Sequence, residues 1–315
     1  MMRRLALSIA TSLLCASASA QQPLRMILPV SAGSGVDTIA RASSNALSKA
    51  LGQPVVVENL PGAGGISGTH ALVKAGPDGR TISIVSNNHV VNPSVYKSMP
   101  FDSIEDITPI SVIGTTPLIL IVNPKVPAKN VRELIAFLKA KPGGYNYGSS
   151  GNGTIIHLAG EMFVQEAGVD VRHVPYKGVA PQVIDMISGQ IELGVVALPA
   201  AQGHLKTGAL RAIGVGGRAR VAAAPDIPTI AEQGLPNYEC EGWFAFIGPA
   251  KLPPAELQRL HAAIVAAFAT PELQENMAKQ GNQINPGTPE AAARFFRSEL
   301  AKYAALVKRA GIKID

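Results

Sequence analysis

The sequence LRMILPVSAGSGVDTIARASSNALSKAL, residues 24–51, places a strand, a glycine-serine loop and a helix in immediate succession. The apolar run from Leu24 to Val30 predicts a strand, and the apolar spacing from Asp37 to Leu51 predicts an amphipathic helix. Glycines allow the loop to turn tightly and to approach a ligand closely. The N–H groups and the positive dipole end of the following helix attract anions. This stretch therefore predicts an α/β fold with an anion-binding loop.

A second loop of the same kind, YGSSGNGT at residues 147–154, precedes a helical pattern that runs from Ile155 to Phe163. Its glycines and hydroxyls again stand next to the start of a helix. Two matched loops, far apart in the chain, predict two half-sites that face each other across a cleft. The alternative for each loop is that its glycines only form a tight strand-to-helix turn.

The candidate ligand-binding residues come from these loops and from the carboxyl ends of two other strands, where ligands bind in open α/β sheets. They are Ser31, Ala32, Gly33, Ser34, Gly35, Asp37, Asn87, Asn88, Ser149, Ser150, Gly151, Asn152, Gly153, Thr154, Ala197 and Leu198. Asp37 has two interpretations: it complements the helix dipole from the first turn, or it pairs with a ligand ammonium. Asn87 and Asn88 either donate to a second polar group of the ligand or are ordinary turn residues.

Two further features have a functional and a structural interpretation. The glycine-rich segment from Gly62 to Gly65 opens another helix and forms either a further wall of the cleft or just a turn. Trp243 flanks either the pocket or the hinge. The sequence leaves both choices open.

The motifs of several enzyme classes are absent from the sequence. No P-loop occurs, and three partial dinucleotide fingerprints have Thr38, Ser67 and Ile156 in place of the third glycine. Neither a Gly-x-Ser-x-Gly elbow nor a cysteine–histidine pattern is present. His157 and Glu161 have the spacing of metal ligands, but a third ligand of matching spacing is lacking. We therefore expect no catalytic residue, no metal and no cofactor.

Residues 1–20 have the pattern of a secretory signal, with basic Arg3 and Arg4, a short apolar stretch, and small residues ending at Ala20. We expect cleavage after Ala20 and export to a bacterial periplasm. The exported chain keeps one cysteine, Cys240, and therefore has no intrachain disulfide. Without Arg3 and Arg4 the formal net charge falls by two, from +6 to +4. No basic cluster with interleaved aromatics favours binding of nucleic acid.

Apolar, β-branched segments alternate with helical patterns along the chain, which predicts an α/β architecture with mainly parallel sheets. The chain is too long for one compact core. Two segments, residues 118–123 and 239–249, have the pattern of crossings between domains. We expect a discontinuous first domain, residues 21–122 and 243–315, a second domain, residues 123–242, and a hinge made of two segments.

Several blocks of sequence, taken together and in order, indicate a protein family more specifically than any one block does. In chain order they are Pro29 to Asp37, VENLPGAGG at residues 57–65, Tyr147 to Leu158, VPYKG at residues 174–178, PDIPT at residues 225–229, and Trp243. These blocks resemble the Bug family, the TctC-like periplasmic solute receptors of tripartite tricarboxylate transporters. The resemblance implies a type II periplasmic-binding-protein fold, in which two α/β domains joined by a two-segment hinge close over a small carboxylate. It also implies that the two loops grip one ligand carboxylate and that membrane transporter subunits are partners.

The chain departs from that family in the first loop. Family members usually have an aromatic residue where Val30 stands, a glycine at Ser34, and a serine or threonine at Val36. These differences reshape one wall and remove a hydroxyl donor, so the resemblance does not identify the ligand. The leading hypothesis is a monomeric, non-enzymatic receptor that delivers an organic acid to a transporter. The alternatives are a periplasmic ligand sensor for a signalling partner, or an enzyme acting on a carboxylate.

Overall fold

The computed structural model describes residues 22–310, so the predicted signal segment, residues 1–20, lies outside the described residues. The strands are β1 Leu24–Leu28, β2 Val55–Asn59, β3 Thr81–Ser86, β4 Ile107–Thr116, β5 Leu118–Val122, β6 Asn146–Ser149, β7 Arg172–Pro175, β8 Leu193–Ala197, β9 Arg211–Val215, β10 Gly242–Pro249 and β11 Gln283–Ile284. The helices are α1 Gly35–Leu51, α2 Ile66–Val73, α3 Asn88–Val95, α4 Val131–Lys139, α5 Ile155–Ala167, α6 Val179–Ser188, α7 Leu198–Lys206, α8 Pro254–Phe268, α9 Pro271–Lys279 and α10 Pro289–Ala310, with a 3-10 turn at Ala63–Gly65. Among these helices, none is both long and apolar enough to cross a membrane.

The first sheet has the strand order β11-β4-β10-β3-β1-β2. β1 runs parallel to β2 and β3, as expected for strands joined through helices. β10 lies between β3 and β4 and runs antiparallel to both. Its Phe244 and Phe246 are fully buried. The aromatic segment that the sequence indicated as a crossing therefore continues as a central strand of this sheet.

The second sheet has the strand order β7-β6-β8-β5-β9. β6 runs parallel to β7 and β8, whereas β5 runs antiparallel to β8 and β9. The expectation of mainly parallel sheets is therefore wrong, because both sheets are mixed. The physical reason is that β5 and β10 arrive directly from the other sheet and not through a crossover helix, which a parallel neighbour would require.

The chain passes between the sheets at two adjacent points. β4 ends at Thr116 and β5 begins at Leu118, so Pro117 alone separates strands of different sheets. Thr116 pairs with Gly242, where the chain returns to the first sheet. The segment Leu118–Val122 pairs within the second sheet, although the sequence placed it in the first domain. A fully apolar strand has the same sequence pattern in either sheet, so only its hydrogen-bonded pairing shows which sheet it belongs to.

We name residues 22–116 and 242–310 the first lobe and residues 117–241 the second lobe. The C-terminal helices belong to the first: α8 packs on α1, and α10 packs on α3 and β4. α10 also contacts α5 of the second lobe. The C-terminal helices are therefore part of the body that forms one side of the cleft.

Hydroxyl side chains at the ends of the two glycine-serine loops cap the N-terminal ends of α1 and α5. Ser34 Oγ accepts a hydrogen bond from the Asp37 N–H at 3.2 Å, and Thr154 Oγ1 accepts one from the His157 N–H at 3.2 Å. Each hydroxyl satisfies a helix donor that has no intrahelical acceptor. Because Ser34 is the N-cap, α1 begins at Gly35, two residues before the predicted start at Asp37.

Candidate ligand-binding site

A cavity of about 510 Å³ lies between the two lobes. It is formed by residues at the carboxyl ends of β1, β3 and β8 and at the starts of α1, α3, α5 and α6. This is the edge at which open α/β sheets bind ligands. Small-molecule sites have volumes of about 300–1,000 Å³, so the cavity can enclose a small organic molecule.

In the described part of the chain, four helices point their N-terminal ends at this cavity. Gly35, Asn88, Ile155 and Val179 are the first residues of α1, α3, α5 and α6, and each of them lines the cavity. The first N–H groups of a helix lack intrahelical acceptors and carry the positive end of its dipole. Two of these helices belong to each lobe, so both lobes attract an anion placed between them.

The charged groups around the cavity also favour an anion. Among the described residues that line it, Lys177 is the only one with a charged side chain, and it is exposed. The described wall therefore presents positive potential from Lys177 and from the helix ends, with no carboxylate to oppose an anion.

The first glycine-serine loop contributes Ser31, Ser34 and Gly35 to the cavity. Ala32 and Gly33, which were also candidates, do not line it. Gly33 has a φ of +77°, a left-handed conformation that favours glycine, and a Cβ there would lie 4.0 Å from the Ala180 Cβ of the second lobe.

Asp37, another candidate of this loop, forms its side-chain hydrogen bonds within the first lobe. Its carboxylate accepts hydrogen bonds from the Gly33 N–H at 3.0 Å, from Arg41 Nε at 3.0 Å and from Asn59 Nδ2 at 2.9 Å. Burial acts to raise the pKa of Asp37, but the bonds from Arg41, Gly33 and Asn59 outweigh it and hold that pKa below its usual value. Asp37 does not line the cavity, so the geometry favours the structural interpretation over a salt bridge to a ligand ammonium.

The second glycine-serine loop forms the facing wall. The residues that it contributes are Ser150, Gly151, Asn152 and Thr154. Gly151 has a φ of +131°, and a Cβ there would lie 3.3 Å from the carbonyl oxygen of Tyr176. Only glycine adopts this backbone conformation without strain, so the close approach of the loop to the cavity depends on Gly151.

Ser149 and Gly153, the other candidates of this loop, bind histidines beneath it and do not face the cavity. Ser149 Oγ lies 2.6 Å from His173 Nε2, and the Gly153 N–H donates to His157 Nδ1 at 3.0 Å. The two imidazole rings stack with their centroids 3.9 Å apart. The second loop therefore rests on a pair of histidines.

This histidine pair is uncharged near neutral pH. Burial lowers the pKa of His157 to about 4, and burial together with the neighbouring His157 lowers the pKa of His173 to about 3. A neutral ring has one nitrogen that accepts a hydrogen bond, which is what the Gly153 N–H requires from His157. The shape of the second loop thus depends on the neutral form of His157.

Asn87 is fully buried at the hinge, and its amide group is fully used. Its Oδ1 accepts from the Trp243 N–H at 3.0 Å, and its Nδ2 donates to the Glu241 carbonyl at 3.1 Å and to the Tyr303 hydroxyl at 2.6 Å. These bonds join β3 to the returning crossing and to α10. Trp243 lines the cavity beside this network, so it belongs to the pocket and to the hinge at once.

Two hydrogen bonds cross the cleft from the first lobe to helix starts of the second. Asn88 Oδ1 accepts from the Ile155 N–H at 2.7 Å, and Ser31 Oγ accepts from the Val179 N–H at 3.3 Å. Ser31 was predicted as a ligand-binding hydroxyl, and Asn88 as either a ligand donor or a turn residue. In the structure they cap α5 and α6 across the cleft and so hold the lobes together.

Ala197 and Leu198, the candidates after β8, face different ways. Ala197 lines the cavity and approaches the first lobe so closely that a Cβ at Gly35 would lie 2.7 Å from the Ala197 Cβ. Leu198 is buried away from the cavity, and its N–H donates to the Pro117 carbonyl at 2.9 Å. Of this pair, only Ala197 is placed to contact a ligand.

The family model for the tripartite tricarboxylate transporter family receptor, TctC, matches residues 39–312. The chain belongs to this receptor family. BugT of Bordetella pertussis is 34% identical over 312 residues, which cover 97% of this chain and 96% of that protein. Among solved structures, the periplasmic binding protein BugD has a TM-score of 0.90 at 30% identity and covers 93% of this chain and 99% of its own. An R. palustris protein with adipate has a TM-score of 0.90 at 31% identity and covers 93% of this chain and 98% of its own.

These comparisons confirm the resemblance to the Bug family and the two-domain α/β periplasmic-binding-protein fold. This TctC-family receptor has two sheets, one in each lobe, with a cavity between the lobes. Within the described residues, no group of three or more His, Cys, Asp or Glu side chains is placed to hold a metal ion.

Several lining residues of this TctC-family receptor were absent from the candidates predicted from its sequence. The segment Gly62 to Gly65 lines the cavity, which supports its interpretation as a further wall. Tyr176 and Lys177 also line it, and the VPYKG block was the signal available for them. Tyr96 donates from its hydroxyl to the Asn152 carbonyl at 3.3 Å, across the cleft. No local sequence pattern marks Tyr96 as a cleft residue.

Proposed function

We propose that this protein is a periplasmic receptor that binds a small carboxylate-bearing solute between its lobes and delivers it to a tripartite tricarboxylate-type transporter. The observation that supports this most strongly is the convergence of α1 and α3 from one lobe with α5 and α6 from the other. A carboxylate between them accepts hydrogen bonds from N–H groups of both lobes. A ligand stabilises the closed state only through such contacts to both lobes.

We propose further that the two lobes move as two domains. The two crossings, Pro117 and the return into Gly242, lie side by side and form the hinge. Two adjacent extended segments allow a rotation between discrete open and closed states. The membrane transporter then binds the closed form preferentially, which couples delivery to ligand capture.

The remaining parts of the proposal are a monomer, export with cleavage after Ala20, and no enzymatic activity. The pair in the described residues that most resembles a nucleophile and its base is Ser149 with His173. Ser149 is fully buried beneath the second loop and does not line the cavity. A nucleophile must reach its substrate, so this pair supports the binding interpretation over the enzyme alternative.

A thermal-shift experiment with matched acids and amides tests carboxylate binding. Hexanoate, benzoate, adipate, succinate, malate and citrate are compared with hexanamide, benzamide and adipamide. A ligand at about 100 times its Kd stabilises the native state by about 2.7 kcal/mol, so at least one acid should raise the Tm by several degrees. Its amide should not. Equal shifts for an acid and its amide, or no shift with any acid, would overturn the proposal.

Delivery is tested in cells. Deletion of the gene should abolish uptake of the radiolabelled acid that binds most tightly, and the wild-type gene supplied in trans should restore it. Unchanged uptake in the deletion strain would contradict the transport role and would favour the sensor.

A further inference from the structure

We infer that the ligand has one anionic end and a predominantly apolar body, as in an aromatic or medium-chain aliphatic acid, and not several carboxylates. This inference rests on the proposed function, since it concerns which carboxylate the cavity accepts.

The cavity is much larger than one carboxylate group. Its volume of about 510 Å³ compares with roughly 30 Å³ for one water molecule in the liquid. A carboxylate group replaces only about two or three waters on that scale. Most of the enclosed space is therefore available to the body of the ligand, and the chemistry of the wall decides what that body is.

Apolar side chains line the cavity from both lobes and from the hinge, between the polar ones. Val30 and Val36 come from the first lobe, Ile156 and Val179 come from the second, and Trp243 comes from the hinge. Apolar side chains from both lobes gain from covering an apolar body, because closure then removes two apolar surfaces from water.

Several polar side chains around the cavity are bonded to the protein itself, although the Thr116 hydroxyl, which also lines it, has no partner among the described residues. Ser34 and Thr154 cap their own helices. Ser31 and Asn88 accept N–H groups across the cleft. The Asn87 amide is used at the hinge. A ligand rich in hydroxyls or carboxylates would have to displace these bonds and leave buried donors unsatisfied, which is unfavourable.

Cationic side chains are scarce around the cavity. Within the described lining Lys177 is the only cationic side chain. At α5 and α6 the first N–H is already occupied by Asn88 and by Ser31. The helix ends serve one carboxylate, and the exposed Lys177 is the only cationic side chain of the described lining that is left to pair with a second one.

Trp243 makes the inference directly measurable. It is the one tryptophan of the sequence, it is 4% exposed, and it lines the cavity. Its fluorescence therefore reports on ligand binding without a label. The titrations compare two matched pairs, hexanoate with adipate and benzoate with terephthalate, and calorimetry gives each Kd independently.

We expect the monocarboxylate to bind at least tenfold more tightly than the dicarboxylate of the same skeleton in both pairs. A reversal in either pair, or tightest binding of malate or citrate, overturns this inference and leaves the proposed carboxylate receptor standing. Failure of every acid to bind overturns the proposed function, and the inference with it.

A matched pair of variants tests whether the apolar side chains that line the cavity contact the ligand. Val36→Thr preserves shape but adds a hydroxyl to the cavity, and it should weaken hexanoate binding about threefold to tenfold. Val56→Thr makes the same change on β2, where the side chain is 52% exposed and does not line the cavity, and it should leave the Kd unchanged. If Val36→Thr disturbs folding by circular dichroism, Val30→Thr replaces it. Unchanged hexanoate affinity in a folded wall variant contradicts the apolar contact.

Discussion

The side-chain oxygen of Asn88 accepts a 2.7 Å hydrogen bond from the backbone N–H of Ile155, across the cleft between the lobes. That N–H is one of the α5 donors that the helix cannot satisfy by itself. Ser31 has the same relationship to Val179 at the start of α6. In both cases the first lobe supplies an acceptor to a helix of the second lobe. The helix ends that attract an anion are therefore also hydrogen-bonded to the other lobe.

Asn88→Ala should weaken binding of the tightest acid roughly fivefold, measured by calorimetry. The contact between the lobes loses a hydrogen bond and keeps an unsatisfied N–H at Ile155, a loss of about 1 kcal/mol. Asn276→Ala, an exposed change on α9, is the matched control and should have no effect. Equal losses of affinity in both variants would contradict the bridging role of Asn88.

Gly35→Ala should weaken binding about tenfold while the lobes remain folded. The new Cβ would lie 2.7 Å from the Ala197 Cβ of the other lobe, and overpacking of this kind costs about 1–3 kcal/mol. The double variant Gly35→Ala/Ala197→Gly removes the clash and should recover most of the affinity. Gly203→Ala, where a Cβ meets nothing within 4 Å, is the control. A double variant as weak as the single one would show that Gly35 acts by another route.

Asn87→Ala should lower the free energy of unfolding by about 2–4 kcal/mol, because the buried Trp243 N–H, Glu241 carbonyl and Tyr303 hydroxyl all lose their partner. Urea denaturation followed by circular dichroism measures this. An unchanged midpoint would mean that these groups find other partners at the hinge.

Thr116→Val should stabilise the protein by about 1 kcal/mol. Among the described residues the Thr116 hydroxyl is buried without a hydrogen-bond partner, and replacing an unsatisfied hydroxyl by a methyl group of similar shape removes a desolvation penalty. The neighbouring Thr115→Val is the comparison, since the Thr115 hydroxyl does bond Glu241, and it should not stabilise. Equal effects in both variants would contradict the role assigned to the unpaired hydroxyl.

Stability should fall as the pH is lowered from about 6.5 to about 4. Burial lowers the pKa of His157 to about 4 in the native state from an ordinary value of 6.5, so in this window the unfolded chain binds more protons and acid favours unfolding. The shift corresponds to roughly 3 kcal/mol. That stabilisation is fully present above about pH 6.5.

His157→Asn, which keeps an acceptor for the Gly153 N–H, should reduce this dependence in urea denaturation at pH 7, 5.5 and 4. The His204→Gln control should not reduce it. A His157→Asn protein as acid-sensitive as the wild type would locate the dependence elsewhere.

Much of the local architecture was predictable because its causes are local. Apolar spacing, turn glycines and hydroxyl caps within a few residues predict the strand before Pro29 and the helix after Ser34. The same local signals predict the strand that contains Gly148 and the helix that follows Thr154. The positions that line the cavity were less predictable. Asp37 and Ser149 have the residue types of ligand contacts, yet each is held by neighbours that no nearby pattern indicates.

The sequence by itself determined two strand–loop–helix units, their anion-attracting helix starts and the family to which the chain is similar, because these depend on short segments and on blocks in a constant order. The tertiary structure decided which sheet Leu118–Val122 joins and which hydroxyls remain for a ligand. Ser31 illustrates the reason: its partner, the Val179 N–H, lies 148 residues away in the chain. Hydrogen-bond partners at that separation are set by how the lobes pack, and a local pattern carries no information about them.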